Sequence, residues 1–371
     1  MKFTIMSGEL ADAIGWAAHA LPKRPALPVL AGLLLQAGDD GVEVAAFDSD
    51  TSRQARIDVD APLDPGRVLV PGRVLADIAK ALPRGELVDV AADERELTIR
   101  CGRAEYGLPL MPVDDYPSLP ALPDVVGSAA ATTFAAAVGQ AVSAAGTDDA
   151  LPMLTGLRVE VSGRDGLIDL AATDRYRMTW RTLEWSPALD APPLLTAVIP
   201  ARAVAEVARS LPDGDTVEIG INGYFASFTC AGRRTTVRLL DDQFPAFRDH
   251  FNRQDDDAVI AEFDAGVVAK VVRRVALLAE RNTAVRLTFS QHGLQVEAGG
   301  GEVGRASELT DCQVEGGPIV VGFSPAFLGE ALATFTGRVQ LRMAGPTRPV
   351  LMCVPGDNSY RHIIQPIRLG S

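Results

Sequence analysis

Four histidines, four cysteines, one glycine-rich triplet and adjacent aspartates such as Asp148-Asp149 and Asp241-Asp242 are the side chains that could do chemistry in this sequence. His19, His250, His292 and His362 fall in separate predicted elements, and no spacing among them suits a metal site or a nucleophile–base pair. Gly299-x-Gly301-x-x-Gly304 has the spacing of a dinucleotide-binding turn. That turn must open a helix whose N-terminus faces the pyrophosphate; here strand-like segments lie on both sides, so a hairpin tip is expected. Cys101, Cys230, Cys312 and Cys353 contain no C-x-x-C pair, and three of them fall on the same late strand of a repeat, so they read as buried thiols. Asp148-Asp149 and Asp241-Asp242 sit in turns, where hydration accounts for them. There is no Walker sequence. No catalytic residue, no metal and no cofactor is expected, and the chain reads as a non-enzyme.

What must be positioned is therefore a surface. The 371 residues are 47% apolar and 22% charged, an ordinary composition for two or three globular domains. No apolar run approaches the ~18 residues a membrane helix needs, and the first ten residues lack the pattern of a secretory signal. A cytoplasmic protein without membrane contact is expected.

The organising stretch is Val198–Ile219. Ala203, Val204, Val207, Ala208 and Leu211 recur at helical spacing, Pro212-Asp213-Gly214 has turn chemistry, and Val217 and Ile219 begin the alternation of a half-buried strand. Leu69–Val90 repeats this phrase 129 residues earlier, with Arg73 matching Arg202, Ala76 matching Ala205 and Gly85 matching Gly214. A fainter copy spans Gly322–Met343. The period is that of a domain, too long for a solenoid unit. Each repeat reads as strand, helix, a run of strands, a second helix and further strands, with Arg24–Gln36 as one apolar strand of the first. The predicted class is α+β: three tandem similar domains at 1–121, 128–253 and 257–371, mainly antiparallel, with paired helices on one face. Leu119–Pro123 and Arg253–Asp257 are the expected linkers.

The net charge of −13 argues superficially against nucleic acid. Its distribution argues otherwise. Six predicted helices (7–24, 71–84, 133–146, 200–212, 264–281 and 324–335) carry eleven basic and seven acidic residues, a net +4 that leaves −17 to strands and loops.

The chain resembles the bacterial sliding clamps, the beta subunit of DNA polymerase III. The resemblance is carried by Met1-Lys2-Phe3-Thr4, Arg24-Pro25-x-Leu27-Pro28, Val70-Pro71, Ala172-Thr173-Asp174 with Arg177, Phe244-Pro245, Val285-Arg286-Leu287 and Pro366-Ile367-Arg368-Leu369. It spans all three repeats in order. It implies a DNA-clamp fold in which two chains join head to tail as a closed homodimeric ring, helices lining the inside and antiparallel sheets outside. The partner in the hole is double-stranded DNA, held topologically and without sequence preference. Arg24, Arg73, Lys80, Arg202, Arg209, Lys270, Arg273 and Arg274 are then the DNA-facing cations, contacting phosphates loosely enough to slide. The ring joint would set Arg103–Pro109, with Tyr106 and Leu108 as anchors, against Leu277 and Leu278.

The same resemblance implies a groove between the second and third domains that receives a short apolar peptide from the replicative polymerase alpha subunit, the clamp loader and other proteins bearing a clamp-binding motif. By position it is lined by Leu154, Thr173, Arg175, Tyr176, Arg177, Met178, Pro245, Asp249 and His250, and completed by Ile363, Ile364, Gln365, Pro366, Ile367 and Arg368. Two features depart from the family pattern. Gln365 stands where many relatives carry Met, and Asp249-His250 stands where a basic or apolar pair is more usual. A buried amide needs hydrogen-bond partners that a thioether does not. An altered groove specificity or inhibitor sensitivity, as in a specialised second copy, is the expectation. A repeat-built adaptor without DNA in its middle is the competing reading; it would share the groove but have no use for basic helices.

Overall fold

Helix formation follows the apolar spacing closely. In the computed structural model, which describes residues 1–39, 41–59, 64–241, 243–252, 258–280, 283–301 and 304–369, the helices are α1 (Ser7–Ala18), α2 (Gly72–Ala81), α3 (Ala131–Ala141), α4 (Ala201–Ser210), α5 (Arg248–Phe251), α6 (Ala265–Val275) and α7 (Pro325–Ala333). The expected linker Arg253–Asp257, together with Asp242 and Arg281, lies outside the described residues. Helix α6 buries Ala265, Val268, Val271, Val272 and Val275 on one stripe. Its valines are poor helix formers, so packing rather than propensity holds it. Asp264 caps it by accepting the Val267 N–H at 2.8 Å. Helix α7 starts on Ser324 and Pro325, a capping side chain followed by a residue that needs no N–H partner there.

The chain divides into two compact units. The first holds Met1–Thr132, Ala188–Asp190 and Ser210–Leu239. Its four-stranded sheet runs in the order Lys2–Met6, Leu87–Ala92, Glu96–Cys101, Ala104–Pro109, which leaves Ala104–Pro109 at an edge. Its larger sheet joins strands of the first and middle repeats: Arg233–Arg238 pairs antiparallel with Thr51–Ile57. Helices α1 and α2 pack side by side in this unit. The Trp16 ring of α1 is flanked by the guanidiniums of Arg53 at 4.8 Å and Arg233 at 5.1 Å, one from each of those two strands.

The second unit holds Thr133–Pro187, Ala191–Arg209 and Leu240–Ser371. Its nine-stranded sheet runs Leu195–Pro200, Gly156–Ser162, Leu167–Thr173, Arg177–Glu184, Asp357–Ile364, Val350–Val354, Arg338–Met343, Val259–Asp264, Gln313–Glu315. The pairing of Arg177–Glu184 with Asp357–Ile364 joins the middle repeat to the third. A four-stranded sheet has Gly304–Thr310 at its edge, and α6 and α7 pack side by side.

Three expectations are modified. Arg24–Gln36 is not one strand: Pro28–Ala31 forms a 3-10 turn, and the strand covers Gly32–Gly38. Pro28 has no N–H for a ladder, and the same happens at Pro152–Thr155 ahead of Gly156–Ser162. The helices end earlier than expected, α1 at Ala18 and α6 at Val275 followed by a 3-10 turn. Helix α5 was not expected at all. The glycine triplet, in contrast, is a hairpin tip, with Gly293–Gly301 paired antiparallel to Gly304–Thr310.

Candidate functional site

A tight turn positions the exposed side chains first. Between Leu167–Thr173 and Arg177–Glu184, Asp174 Oδ1 accepts the N–H groups of Tyr176 at 2.9 Å and Arg177 at 2.8 Å. Thr173 Oγ1 donates to the Arg177 carbonyl at 2.6 Å and accepts the Arg175 N–H at 3.2 Å. These bonds hold Arg175 at φ 79°, a left-handed conformation that costs a side-chain-bearing residue about 1 kcal/mol. Tyr176 is thereby lifted to 55% exposure, stacked on Phe327 of α7 at 6.1 Å. Arg177 turns inward. It is buried, bonded to Asp174 at 3.0 Å and to Glu330 of α7, with its guanidinium carbon 4.3 Å from the Phe327 ring centre.

Sheet register then builds a floor. Met178 faces Ile363, Ile363 faces Leu351, Leu351 faces Arg342 and Arg342 faces Ile260, one row across five strands. Because side chains alternate, Thr179, His362 and Ile364 point to the opposite face, where all three are buried. Helix α5 covers part of the floor. Arg248 donates to Glu160 at 2.6 Å and Asp169 at 2.7 Å, while Asp169 also accepts from Trp180 Nε1 at 2.9 Å and Thr182 at 2.6 Å. Phe247 and Phe251 meet the Trp180 ring edge-on, and the Arg361 guanidinium lies 3.6 Å from its centre. What stays open is a cleft of about 1300 Å³.

Of the residues expected at a groove, Thr173, Arg175, Tyr176, Arg177, Met178, His250, Ile363 and Gln365 line this cleft. Pro245 and Asp249 line a separate recess of about 230 Å³ beside Arg158 and Glu160. The remaining residues lie elsewhere. Ile364 is 1% exposed and belongs to the core of the third repeat, as alternation with Ile363 dictates. Leu154 is buried in its 3-10 turn, whose carbonyl accepts the Gly146 N–H at 2.7 Å. Pro366 is buried, and the Ile367 N–H bonds to the Gly322 carbonyl at 2.8 Å, which carries Ile367 and the exposed Arg368 away along another strand. Phe251, Ile260, Arg342, Arg348, Leu351 and Arg361 line the cleft without having been expected there. Period-2 patterning marks Ile260 and Leu351 as strand residues, but only the strand order brings them to Met178.

The basic candidates are all exposed: Arg24 after α1, Arg73 and Lys80 on α2, Arg202 and Arg209 on α4, and Lys270, Arg273 and Arg274 on α6. Arg73 donates to the Pro22 carbonyl at 3.1 Å, and Arg202 lies 3.7 Å from Glu206. Arg274 differs from the rest. Glu308, on the edge strand Gly304–Thr310, grips it through two hydrogen bonds that raise the guanidinium pKa and lower that of the carboxyl. At the expected joint, Leu277 is 80% exposed and Leu278 half-buried. Leu108 corrects the expectation: it is 5% exposed, because alternation along its strand turns it into the core of the first unit. Tyr106 is half-buried against that same core.

Among the described residues no group of three or more His, Cys, Asp or Glu could hold a metal ion, and no helix is long and apolar enough to cross a membrane. All four thiols are free. Three α+β repeats with antiparallel sheets, with helix pairs α1–α2 and α6–α7 each packed side by side, define a protein of the DNA-clamp fold. Sequence models for the N-terminal, central and C-terminal domains of the DNA polymerase III beta subunit match residues 1–120, 129–246 and 254–368. The beta sliding clamp of Streptomyces coelicolor is 40% identical over 383 aligned residues, with 100% of each chain covered. A beta sliding clamp homolog of Streptomyces muensis, GriR, is 34% identical with 99% of each covered. The crystal structure of a sliding clamp from Pseudomonas aeruginosa bound to griselimycin has a TM-score of 0.92 at 24% identity, covering 100% of both chains. The chain belongs to the DNA polymerase III beta subunit family, and its function is that of a DNA sliding clamp.

Proposed function

We propose that two copies of this chain close head to tail around duplex DNA and that the cleft of the second unit receives peptides from the replicative polymerase, the clamp loader and other clients. The chain itself is non-catalytic; polymerisation belongs to the assembly it tethers, in the cytoplasm. The domains run 1–121, 128–253 and 257–371. The carrying observation is the apolar row Met178–Ile363–Leu351 beneath the exposed Tyr176. A small apolar floor ringed by a few polar groups is what a short peptide with two apolar anchors needs.

Ring closure is supported by two edge strands, Ala104–Pro109 and Gly304–Thr310, each paired on one side only within its four-stranded sheet among the described residues. Pairing them between copies removes both edges. Leu277 supplies exposed apolar surface near the second. The exposed cations of α2, α4 and α6, with Arg24, face phosphates; Arg274, already held by Glu308, serves the joint instead. Weak contacts suffice because residence is topological. The departures at Gln365 and at Asp249-His250 support a second, narrower reading, a clamp whose clients or inhibitors differ from those of its relatives.

A fluorescence-polarisation titration with a labelled Gln-Leu-Ser-Leu-Phe peptide tests the cleft, with Met178→Glu as control and light scattering on the same sample. Micromolar binding that the control abolishes, on a two-chain particle, is the expected result. A monomer that ignores the peptide would sink the proposal.

A further inference from the structure

Arginines make the cleft wall basic. Arg175, Arg342, Arg348 and Arg361 line it, and among the described residues no carboxylate does. Arg177 also lines it, but Asp174 and Glu330 already neutralise that residue. Arg342 bonds to the neutral Gln340 amide oxygen at 2.9 Å. Arg361 lies flat on Trp180 and is half-buried, and among the described residues neither it, Arg342 nor Arg175 makes an ion pair within 4.0 Å. Burial lowers the Arg361 pKa, and Arg248 pushes the same way against Asp169. Its charge is therefore held where an incoming anion would be favoured over water.

The register places this charge relative to the apolar floor. Leu351 is one strand from Ile363, and Arg342 is one strand further. At roughly 4.8 Å per strand, Arg342 stands about 10 Å from Ile363 along the row, the span of about three extended peptide residues.

We propose that the peptide docking here carries carboxylates within about three residues of its apolar anchors, the anchors seated on Met178, Ile363 and Leu351 and the carboxylates facing Arg342 and Arg361. The proposal rests on the cleft being the partner-peptide site and adds the chemistry of the partner. A single-stranded nucleic acid is the other anionic candidate, but it needs free aromatic faces for its bases. Tyr176 is stacked on Phe327, and Trp180 is covered by Arg361, Phe247 and Phe251.

The test is fluorescence anisotropy on the full chain with four labelled probes. These are Gln-Leu-Ser-Leu-Phe between Gly-Ser flanks, the same core with Asp-Glu-Asp placed before or after it, and a fifteen-nucleotide thymidine strand. One acidic peptide is expected to bind about tenfold tighter than the neutral one at low salt, the sum of two partly exposed ion pairs. The advantage should shrink at high salt. Arg342→Gln should remove it, bringing the acidic peptide to the affinity of the neutral one, and a urea midpoint close to that of the unaltered protein shows that the variant is folded. Equal affinity of acidic and neutral peptides would overturn the selectivity and leave the peptide site standing. Binding of no peptide would overturn the site itself, and displacement of the acidic peptide by the thymidine strand would assign the arginines to nucleic acid.

Discussion

The backbone N–H of Gln365 donates to the Tyr176 carbonyl at 2.8 Å, so the last strand of the third repeat continues its ladder onto the turn that lifts Tyr176 out of the middle repeat. The Gln365 side chain points elsewhere, its amide donating to the Thr347 carbonyl at 2.9 Å. That satisfies the amide and puts a polar group on the cleft wall where a thioether would be apolar.

Gln365→Met should therefore tighten binding of an apolar-anchored peptide by about fivefold, near 1 kcal/mol, since the backbone bond to Tyr176 does not depend on the side chain. Isothermal titration of both proteins with one peptide measures this. Identical affinities would separate Gln365 from groove specificity.

Arg175→Gly should separate conformational strain from charge. At φ 79° a glycine costs less than an arginine, so the variant should gain about 0.5–1 kcal/mol in urea unfolding. Arg175→Ala, which keeps the Cβ, should show no such gain. A variant Gly protein no more stable than the Ala protein would mean that the turn relaxes without cost.

The repeat was legible because its turn chemistry is physical. Gly85 and Gly214, matched in the sequence, both adopt φ 83°, which an L side chain resists, and each precedes a strand of the same rank. Helix stripes were legible for the same kind of reason. The helix ends and the 3-10 turns at Pro28 and Pro152 were not, since apolar spacing does not say where a ladder loses its N–H. The cleft was half legible: the residues of one turn, Thr173 to Met178, are adjacent in the chain. Its other half is a row drawn from Ile363, Leu351, Arg342 and Ile260, four strands whose order no local pattern encodes. Ile364 was misplaced by one step of the strand alternation, the smallest possible error and one that reverses a side chain's face.

Arg177→Met should be among the more damaging substitutions near the cleft. The side chain is 6% exposed and joins Asp174, itself 13% exposed, to Glu330. Removing the guanidinium leaves a largely buried carboxylate without its cation, a loss of about 3 kcal/mol. Glu330→Gln leaves the Asp174 pair intact and removes a partner that is 58% exposed, so it should cost less than about 1 kcal/mol. Urea midpoints of the two variants check the ranking; equal losses would mean that the Asp174 pair contributes nothing.

Acid sensitivity should trace in part to His362. The ring is fully buried, and burial, reinforced by the Arg177 charge, pulls its pKa from 6.5 down to about 3. Tyr360 O–H donates to the Gln140 carbonyl at 3.2 Å, so the ring keeps its proton on Nδ1 and donates it to the Tyr360 oxygen at 3.0 Å. Nε2 is then a lone pair with no hydrogen-bond partner. Protonating it would create a charged, unpartnered N–H in the core. The folded state consequently refuses a proton that the unfolded chain accepts below pH 6.5. Stability is whole above that pH and falls as the pH drops toward 3, by up to about 1.4 kcal/mol per pH unit. Tyr360, its pKa pushed up to about 12 by burial, stays neutral throughout and adds nothing to the slope. His362→Gln removes the titrating ring. Urea unfolding at pH 7.5 and pH 5.0 should show the unaltered protein losing about 2 kcal/mol more than the variant between the two conditions. Equal losses in both proteins would mean that the ring accepts its proton in the folded state, and that the packing around Nε2 opens to water when it does.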